Sequence, residues 1–142
     1  MKLLLCMAVV AAAEPEMARL SDPLLCECSG LAASQVHSGV LWSHNDSGSA
    51  CELFATDAKG AALARMPIAM VTEDWEDIAL DRRGLYIADI GDNRCLRDEI
   101  SVHRVIEPDP LHPPSAPLPI TATWRLRYPD QPHDAERHLE DL

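Results

Sequence analysis

The feature that most constrains the fold of this chain is an internal repeat of short β-like segments. Residues 27–31 align with residues 76–80 at an offset of 49, and residues 41–45 align with residues 85–89 at an offset of 44. Turn residues such as Gly, Asn and Asp recur between these segments about every eight to twelve positions. Almost no segment has the periodicity of a helix. The pattern therefore predicts an all-β chain.

The repeat continues in residues 53–54, which align with residues 102–103 at an offset of 49. Eight strands are predicted, in two sets of four. They are residues 29–34, 40–44, 52–56, 62–67, 75–80, 85–90, 100–106 and 120–128. A period of roughly 45–50 residues with four strands per unit is typical of a β-propeller blade. An unrelated β-sandwich with similarly spaced strands is the alternative interpretation.

Propellers close their ring with about four to eight blades, whereas this chain accounts for about two blades and the start of a third. We therefore expect an incomplete, truncated propeller. The predicted organisation is a signal peptide (1–13), an N-terminal linker (14–25), an incomplete propeller (26–136) made of two blades (26–70 and 71–128) and the start of a third (129–136), and a divergent tail (137–142).

The first 13 residues have the composition of a secretory signal peptide. Lys2 precedes an apolar run over residues 3–13 that ends in small residues before Glu14. This run is too short for a transmembrane helix, which needs about 20 apolar residues. Cys6 lies inside the run and not after it, which disfavours a lipoprotein anchor. The sequence predicts a secreted or periplasmic protein without a membrane span; a buried N-terminal element is the alternative.

The charge balance excludes one class of partner. The chain has 23 acidic and 12 basic residues, a formal net charge of −11 and a sequence pI near 4.8. Because nucleic acids are bound through Lys and Arg that displace counterions, we expect no nucleic-acid partner. Binding to an anionic membrane surface is disfavoured for the same reason.

Four cysteines follow the predicted signal peptide, at positions 26, 28, 51 and 95. An exported protein can form disulfides, and four cysteines allow three pairings. Cys26 and Cys28 share one strand face by spacing, so each is expected to pair with a distant cysteine more readily than with the other. A zinc site is the alternative, although paired C-x-x-C motifs are absent from the sequence.

Acidic and amide side chains collect at the predicted strand ends. The candidate metal ligands are Glu27, Asn45, Asp46, Glu76, Asp77, Asp89, Asp92, Asn93 and Glu136. Such oxygen ligands suit Ca²⁺ or Mg²⁺. In a propeller the first strand of each blade lines the central channel, so Glu27, Glu76 and Glu136 are expected to converge and to recruit a cation. The sequence thus predicts a divalent-cation site, with calcium as the expected ion, at the channel mouth.

A purely structural interpretation competes for some of these residues. Residues 45–48 and 91–93 are good turn sequences without any metal. Glu76 and Asp77 are harder to explain this way, because they lie where a strand is expected to start and carboxylates are disfavoured in strands. His44 is the one histidine beside the candidate site, and is a weak candidate for a catalytic base; a structural strand histidine is the commoner case.

Several motifs occur in a fixed order along the chain. They are E-C-S-G-L (27–31), W-S-H-N-D-S-G (42–48), D-W-E-D-I-A (74–79), Y-I-A-D-I-G-D-N (86–93), Y-P-D (128–130) and D-A-E (134–136). Together they resemble the N-terminal third of a family of exported, largely uncharacterised bacterial proteins with a six-bladed TolB-like or phytase-like β-propeller fold. Related propellers include gluconolactonase-type lactonases, whose channel cation is held by Glu and Asn or Asp side chains. Glu27 is the closest analogue of these ligands in this chain.

The resemblance and the residues lead to several functional expectations. The leading one is that the complete form binds a divalent cation, expected to be calcium, at the channel mouth, together with a small molecule or a protein partner. The second is a metal-dependent lactonase or esterase, in which the cation polarises a carbonyl and activates water. The others are a non-catalytic interaction propeller and an inactive truncated product. The resemblance ends at residue 136, and the cysteines depart from the family pattern.

Overall fold

The computed structural model describes residues 17–46 and 48–135, and over these residues the protein is all-β. The eight strands are β1 (Cys28–Ala33), β2 (Val40–Asn45), β3 (Glu52–Asp57), β4 (Ala62–Pro67), β5 (Trp75–Asp81), β6 (Gly84–Asp89), β7 (Ile100–Val105) and β8 (Ile120–Leu126). All eight predicted strands are present, with ends within about two residues of the prediction. The predicted signal peptide, Glu136 and the predicted C-terminal tail lie outside the described residues. Within the described part of the chain there is no helix with the length and hydropathy needed to cross a membrane.

The strands form two four-stranded antiparallel sheets in simple sequential order. The first sheet has the order β1-β2-β3-β4 and the second the order β5-β6-β7-β8. This grouping confirms the predicted division into two sets of four strands. It is consistent with two propeller blades, since each blade of a propeller is such a sheet.

The hydrogen-bonding register defines which positions of the two sheets are equivalent. Asn45 is opposite Cys28 in the first sheet, and Asp89 is opposite Trp75 in the second. In both sheets the register then shifts by one residue, which makes Ser29 and Glu76 the extra residues of equivalent β-bulges.

These pairs correct one of the predicted offsets. The first strands correspond at an offset of 47 and not 49, so Asp74, and not Glu76, is the residue equivalent to Glu27. The predicted offsets for the second strands (44) and third strands (49) are confirmed by the ladders, in which Phe54 is opposite Ser43 and His103 is opposite Ile87. Because both sheets carry the bulge at the same position, the offset of 47 holds on both sides of it. Matching Glu27 to Glu76 followed residue type, whereas equivalence is set by which residues are opposite each other in the ladders.

The two sheets pack face to face through their first strands, β1 and β5. The Ser29 hydroxyl donates a hydrogen bond to the Glu76 carbonyl (3.1 Å), which joins the two bulges. A Cβ atom on Gly30 would lie 2.8 Å from the Ile78 nitrogen and 2.9 Å from His44 Nε2, so only glycine allows this approach. The shared core consists of Ala32, Val40, Trp42, Leu53, Ala55, Met66, Ile68, Trp75, Ile78, Leu85, Ile87, Val105 and Leu118.

The segment over residues 17–26, most of the predicted linker, is packed against the first sheet. Its Ser21 nitrogen donates to the Gly60 carbonyl (2.9 Å) at one end of the sheet, and Asn45 Nδ2 donates to the Leu24 carbonyl (2.6 Å) at the other. The segment thereby runs along the first sheet from one end to the other. We refer to residues 17–26 as the N-terminal strap.

The proline-rich connector between β7 and β8 also packs against the sheets. The Trp42 indole N–H donates to Glu107 Oε1 (2.8 Å), and the Leu118 nitrogen donates to the Pro67 carbonyl (2.8 Å). Pro110 is among the most deeply buried side chains. The connector therefore holds the first sheet to the second in addition to joining two strands.

The four described cysteines are free thiols in this structure. Cys26, Cys28 and Cys95 are exposed, and Cys51 is half-buried. Cys28 Sγ lies 2.8 Å from Ser43 Oγ, within hydrogen-bonding distance. None of the three disulfide pairings allowed by these four cysteines is therefore formed in this structure.

Candidate metal centre

Three carboxylates meet where the first strands of the two sheets come together. They belong to Asp46, directly after β2, to Asp74, directly before β5, and to Glu76, within β5. One oxygen from each lies within 4.8 Å of the others, and all three residues are half-buried. We call these three residues the acidic cluster. Asp46 and Glu76 were predicted from the sequence, and Asp74 was not.

Local backbone geometry places each member of the acidic cluster. The Asp46 nitrogen donates to the Glu27 carbonyl (2.9 Å), and the Gly91 nitrogen donates to the Asp74 carbonyl (3.0 Å). Glu76 is the extra residue of the β5 bulge, a feature that commonly re-aims a side chain relative to a regular strand. The cluster thus depends on two equivalent strand junctions and one bulge.

Gly91 lies directly against the cluster. A Cβ atom at this position would overlap Glu76 Oε1 and the Asp74 carboxylate, so a larger residue would force these side chains apart. Asn93 Nδ2 donates to Asp74 Oδ2 (3.3 Å) and fixes the orientation of that carboxylate. Three carboxylates in a tight, partly buried cradle form the kind of oxygen donor set that binds Ca²⁺ or Mg²⁺.

Asn45 and Asp89, both predicted ligands, occupy equivalent positions and hold backbone in place. Asn45 Oδ1 accepts hydrogen bonds from the nitrogens of Cys26 and Glu27, each at 3.1 Å. The Asp89 carboxylate accepts from the nitrogens of Glu73 (3.3 Å) and Asp74 (2.9 Å). Each side chain therefore fixes the backbone of the segment that leads into the first strand of its own sheet. Asp89 in this way positions Asp74.

The guanidinium of Arg97 lies beside the Asp89 carboxylate. Its Nη1 donates to Asp89 Oδ1 (3.0 Å) and to the Gly91 carbonyl (2.7 Å). Its Nε lies 3.3 Å from Glu73 Oε2, close enough for an ion pair but without hydrogen-bond geometry. Arg97 thus connects the buried Asp89 carboxylate to the loop that presses on the acidic cluster.

Asp92, another predicted ligand, serves this same loop. It is buried, and its carboxylate accepts a hydrogen bond from the Arg97 nitrogen (2.7 Å). Burial by itself would raise the pKa of Asp92, but the backbone amides of Leu96, Arg97 and Arg94, with the Arg97 charge, hold it below its ordinary value. Asp92 is therefore a charged structural acceptor within its turn.

The remaining predicted ligands are spread around the cluster. Glu27 and Asp77 are exposed, and Asp77 Oδ1 accepts a hydrogen bond from the Ile78 nitrogen (2.8 Å). Asn93 reaches the cluster through its bond to Asp74. Glu136 lies outside the described residues, so the predicted convergence of three glutamates is not observed among the residues that are described. Of the other two, Glu76 is in the cluster and Glu27 is outside it.

Asp74 was missed because of the two-residue error in the overlay. Aligning Glu27 with Glu76 drew attention to the second acidic residue of the D-W-E segment and away from the first. The ladder shows that Asp74 is equivalent to Glu27. A sequence signal was present, since Asp74 stands beside Trp75 immediately before a predicted strand.

His44, the weak catalytic candidate, is enclosed between the two sheets. It is fully buried, its ring stacks on the Trp75 indole at 4.8 Å, and its Nδ1 lies 2.8 Å from the Asn45 carbonyl. Within the described part of the chain, its Nε2 has no hydrogen-bond partner. This placement matches the structural role that was considered the commoner case.

We expect stability to fall below pH 6.5 because of His44. Burial lowers the pKa of this ring from 6.5, while the Asn45 carbonyl and the carboxylates of Asp77 and Asp46 act in the opposite direction. In the unfolded chain His44 therefore takes up a proton near pH 6.5, whereas in the folded chain it does so only at a lower pH. Between these two pKa values the unfolded state is favoured increasingly as the pH falls. Urea unfolding from pH 8 to 5 measures this as a loss of up to about 1.4 kcal/mol per pH unit.

The variant His44→Gln provides the control for this pH effect. It should be less stable at pH 8 but show a flatter pH profile below 6.5. Burial also lowers the pKa of His103, so a smaller slope of the same sign should remain. An unchanged slope in His44→Gln would assign the effect to other groups.

The acidic cluster adjoins an open cleft. The cleft has a volume of about 410 Å³, and its lining includes Asp74, Gly91, Asn93, Arg94 and Arg97. A cation held by Asp74 would thus be close to a space that admits a small molecule.

No protein-family model, curated protein or solved structure matches this chain.

Proposed function

We propose that this chain is part of an exported β-propeller protein that binds a divalent cation, Ca²⁺, through Asp46, Asp74 and Glu76. The observation that supports the proposal is the approach of three carboxylate oxygens to within 4.8 Å of one another. The fold supports the propeller assignment only at the level of two four-stranded sheets packed through their first strands. The resemblance to TolB-like and phytase-like propellers is part of the proposal.

Electrostatics supports a cation at this position. Two unit charges about 4.8 Å apart repel by about 3 kcal/mol at the effective dielectric constant typical of a protein surface. Three such pairs on a chain of net charge −11 favour the binding of a cation among them.

Calcium suits the site better than magnesium. Ca²⁺ accepts six to eight oxygen ligands in flexible geometry, so three carboxylates can be completed by water and by ligand oxygens. Mg²⁺ demands near-ideal octahedral geometry and binds protein cages reluctantly. Extracellular calcium modules bind with dissociation constants of about 10⁻⁴ to 10⁻³ M, which is appropriate for a small, half-buried donor set in a secreted or periplasmic protein.

The position of the cluster also suits ligand binding. In a propeller the first strands surround the central channel, and the acidic cluster lies beside the first strands β1 and β5. We therefore assign the cation to the channel mouth. The adjoining cleft of about 410 Å³ supports the second part of the proposal, a small molecule or partner group bound next to the ion.

The same cleft favours a second candidate function, metal-dependent hydrolysis of a lactone or ester. A cation beside an open cleft can polarise a carbonyl and lower the pKa of a bound water. The buried His44 is not placed to accept the proton, so another group would have to act as base. Calcium-dependent turnover of a lactone and ester panel, lost in Glu76→Gln, would distinguish this candidate from binding alone.

Terbium luminescence tests the cation proposal directly. Tb³⁺ substitutes for Ca²⁺ at oxygen sites, and Trp75 stands between Asp74 and Glu76 in the sequence, so excitation of tryptophan should sensitise bound terbium. We expect saturable emission that Ca²⁺ reverses, with at least about tenfold weaker binding in Asp74→Asn. Asp98→Asn, an exposed carboxylate outside the cluster, is the matched control and should bind like the wild type. Emission that both variants retain equally would refute the proposed site.

A further inference from the structure

A second open cleft lies over one end of strands β7 and β8. It has a volume of about 840 Å³, and its lining includes Ser101 and His103 on β7 and Thr123 and Arg125 on β8. Ser101 is opposite Arg125 and His103 is opposite Thr123, so the four side chains share one face of the second sheet. We call this space the β7–β8 cleft. Its size is typical of a pocket for a small molecule.

The two sheets differ at this position. His103 is opposite Ile87, a residue of the shared core, so the cleft lies on the face that also carries the core. The residue of the first sheet that is equivalent to His103 is Phe54, which is opposite Ser43. Phe54 is 2% exposed, whereas His103 is half-buried. The second sheet thus has a polar ring beside an open space where the first sheet has a packed aromatic side chain.

The floor of the β7–β8 cleft presents hydrogen-bond donors. His103 Nδ1 lies 3.0 Å from Thr123 Oγ1, and this contact fixes the orientation of the ring. Within the described part of the chain, the Ser101 hydroxyl and the Arg125 guanidinium form no hydrogen bond or ion pair with another residue. Both groups therefore face the cleft with their donors directed to solvent or to a ligand.

The carboxylates in the lining, in contrast, already have partners. Asp89 Oδ1 accepts a hydrogen bond from Arg97 Nη1 (3.0 Å), and Glu73 Oε2 lies 3.3 Å from Arg97 Nε. Glu99 Oε1 accepts a hydrogen bond from Arg127 Nη2 (2.6 Å). Each of the three carboxylates that line the cleft is thus paired with an arginine.

The charge balance of the cleft favours a ligand with a single negative charge. The three lining carboxylates are matched by the guanidiniums of Arg97, Arg125 and Arg127. Burial lowers the pKa of His103 against the opposing effect of the Asp89 charge, so the ring is neutral at pH 7. The cleft is therefore electrically balanced although the chain has a net charge of −11. Arg125 is the guanidinium of this set that has no carboxylate partner of its own.

We propose that the β7–β8 cleft binds a small organic monocarboxylate, which pairs with Arg125 and accepts a hydrogen bond from Ser101. A planar guanidinium and a planar carboxylate match each other through two parallel hydrogen bonds. Residues that are opposite each other in a ladder have Cβ atoms about 5 Å apart, so both donors can reach one carboxylate. Phosphate fits less well, because its second charge would be repelled by the three carboxylates nearby. The proposal does not depend on the cation site.

Titration of the isotope-labelled full chain with propionate, at pH 7 and constant ionic strength in metal-free buffer, tests the proposal. We expect saturable shifts of the Ser101, His103 and Thr123 amide signals, with a dissociation constant of about 0.1–10 mM for so small a ligand. Propionamide, which has the same shape without the charge, and inorganic phosphate should each bind at least about tenfold more weakly. Arg125→Gln should weaken propionate binding by a similar factor. Arg82→Gln, which changes an exposed guanidinium in the β5–β6 turn, is the matched control and should bind like the wild type.

Arg125 is exposed, so Arg125→Gln should keep the wild-type thermal midpoint and its loss of binding should not reflect unfolding. Four results would overturn the proposal. Shifts that do not saturate would exclude a site for propionate. Equal binding of propionamide would exclude the charge as the recognised feature, and tighter binding of phosphate would assign the cleft to another anion. Full propionate binding by Arg125→Gln would place the site elsewhere. Because no metal is present, none of these results bears on the terbium experiment.

Discussion

Replacing Asp89 with alanine should lower the free energy of unfolding by about 3–5 kcal/mol, whether or not calcium is present. Asp89 is 4% exposed, and its carboxylate binds the amides of Glu73 and Asp74 as well as the Arg97 guanidinium. Truncation would leave the partly buried Arg97 charge without its closest carboxylate and two amides without an acceptor. Loss of one partner of a buried ion pair is among the most destabilising changes known in proteins.

Urea unfolding in EDTA and in Ca²⁺ measures this loss. Asp89→Asn should cost less, since an amide keeps the hydrogen-bond acceptor and the equivalent residue of the first sheet, Asn45, performs the same task with an amide. Asp98→Ala, an exposed acidic position, is the control and should stay within about 0.5 kcal/mol of the wild type. A loss confined to calcium-containing buffer would instead make Asp89 a metal ligand, as the sequence predicted.

Calcium should raise the thermal midpoint of the wild-type chain by roughly 5–10 °C, and Asp74→Asn should abolish most of this rise. A ligand that binds only the folded state, present at about one hundred times its dissociation constant, stabilises by about 2.7 kcal/mol. For a chain of this size each kcal/mol corresponds to roughly 2–4 °C. Asp74 contributes one of the three oxygens and is held by Asn93 and Gly91, so its neutral amide analogue removes charge without removing shape.

Glu27→Gln is the informative comparison for this experiment. Glu27 was predicted as a ligand, but it is exposed and lies outside the acidic cluster, so its variant should keep the full calcium shift. In EDTA, Asp74→Asn should be as stable as the wild type or slightly more so, because it relieves repulsion among three carboxylates. A calcium shift that is lost in Glu27→Gln and kept in Asp74→Asn would restore the site predicted from sequence and reject the one built by the fold.

The sequence predicted the strands well because alternation and turn chemistry are local properties. Strand β6, for example, follows from a glycine turn and from the alternation of Leu85 and Ile87 with Tyr86 and Ala88. The offsets of the second and third strands could be read directly from the sequence, since these strands pair without a bulge. Ser43 is opposite Phe54 in the first sheet, and Ile87 is opposite His103 in the second. The grouping into two sets of four then followed from the repeat.

The candidate site was only partly predictable. Residue type indicated that oxygen ligands collect at strand ends, and the fold brings two of the predicted ligands, Asp46 and Glu76, close together with Asp74. The roles of Asn45 and Asp89 could not be separated from ligation, because an amide or carboxylate that accepts backbone N–H groups has the same sequence signature as one that binds a cation.

The amino-acid sequence by itself thus determined the all-β class, the eight strands and the acidic character of the strand ends, since these depend on side-chain type and on neighbours along the chain. Only the tertiary structure decided which carboxylates meet. The ladders place Asp74 at the position equivalent to Glu27, and the β5 bulge makes Glu76 an extra residue close to it. Gly91 allows the loop to close on Asp74 and Glu76. Proximity between residues from different sheets is set by register and packing, which local sequence patterns do not encode.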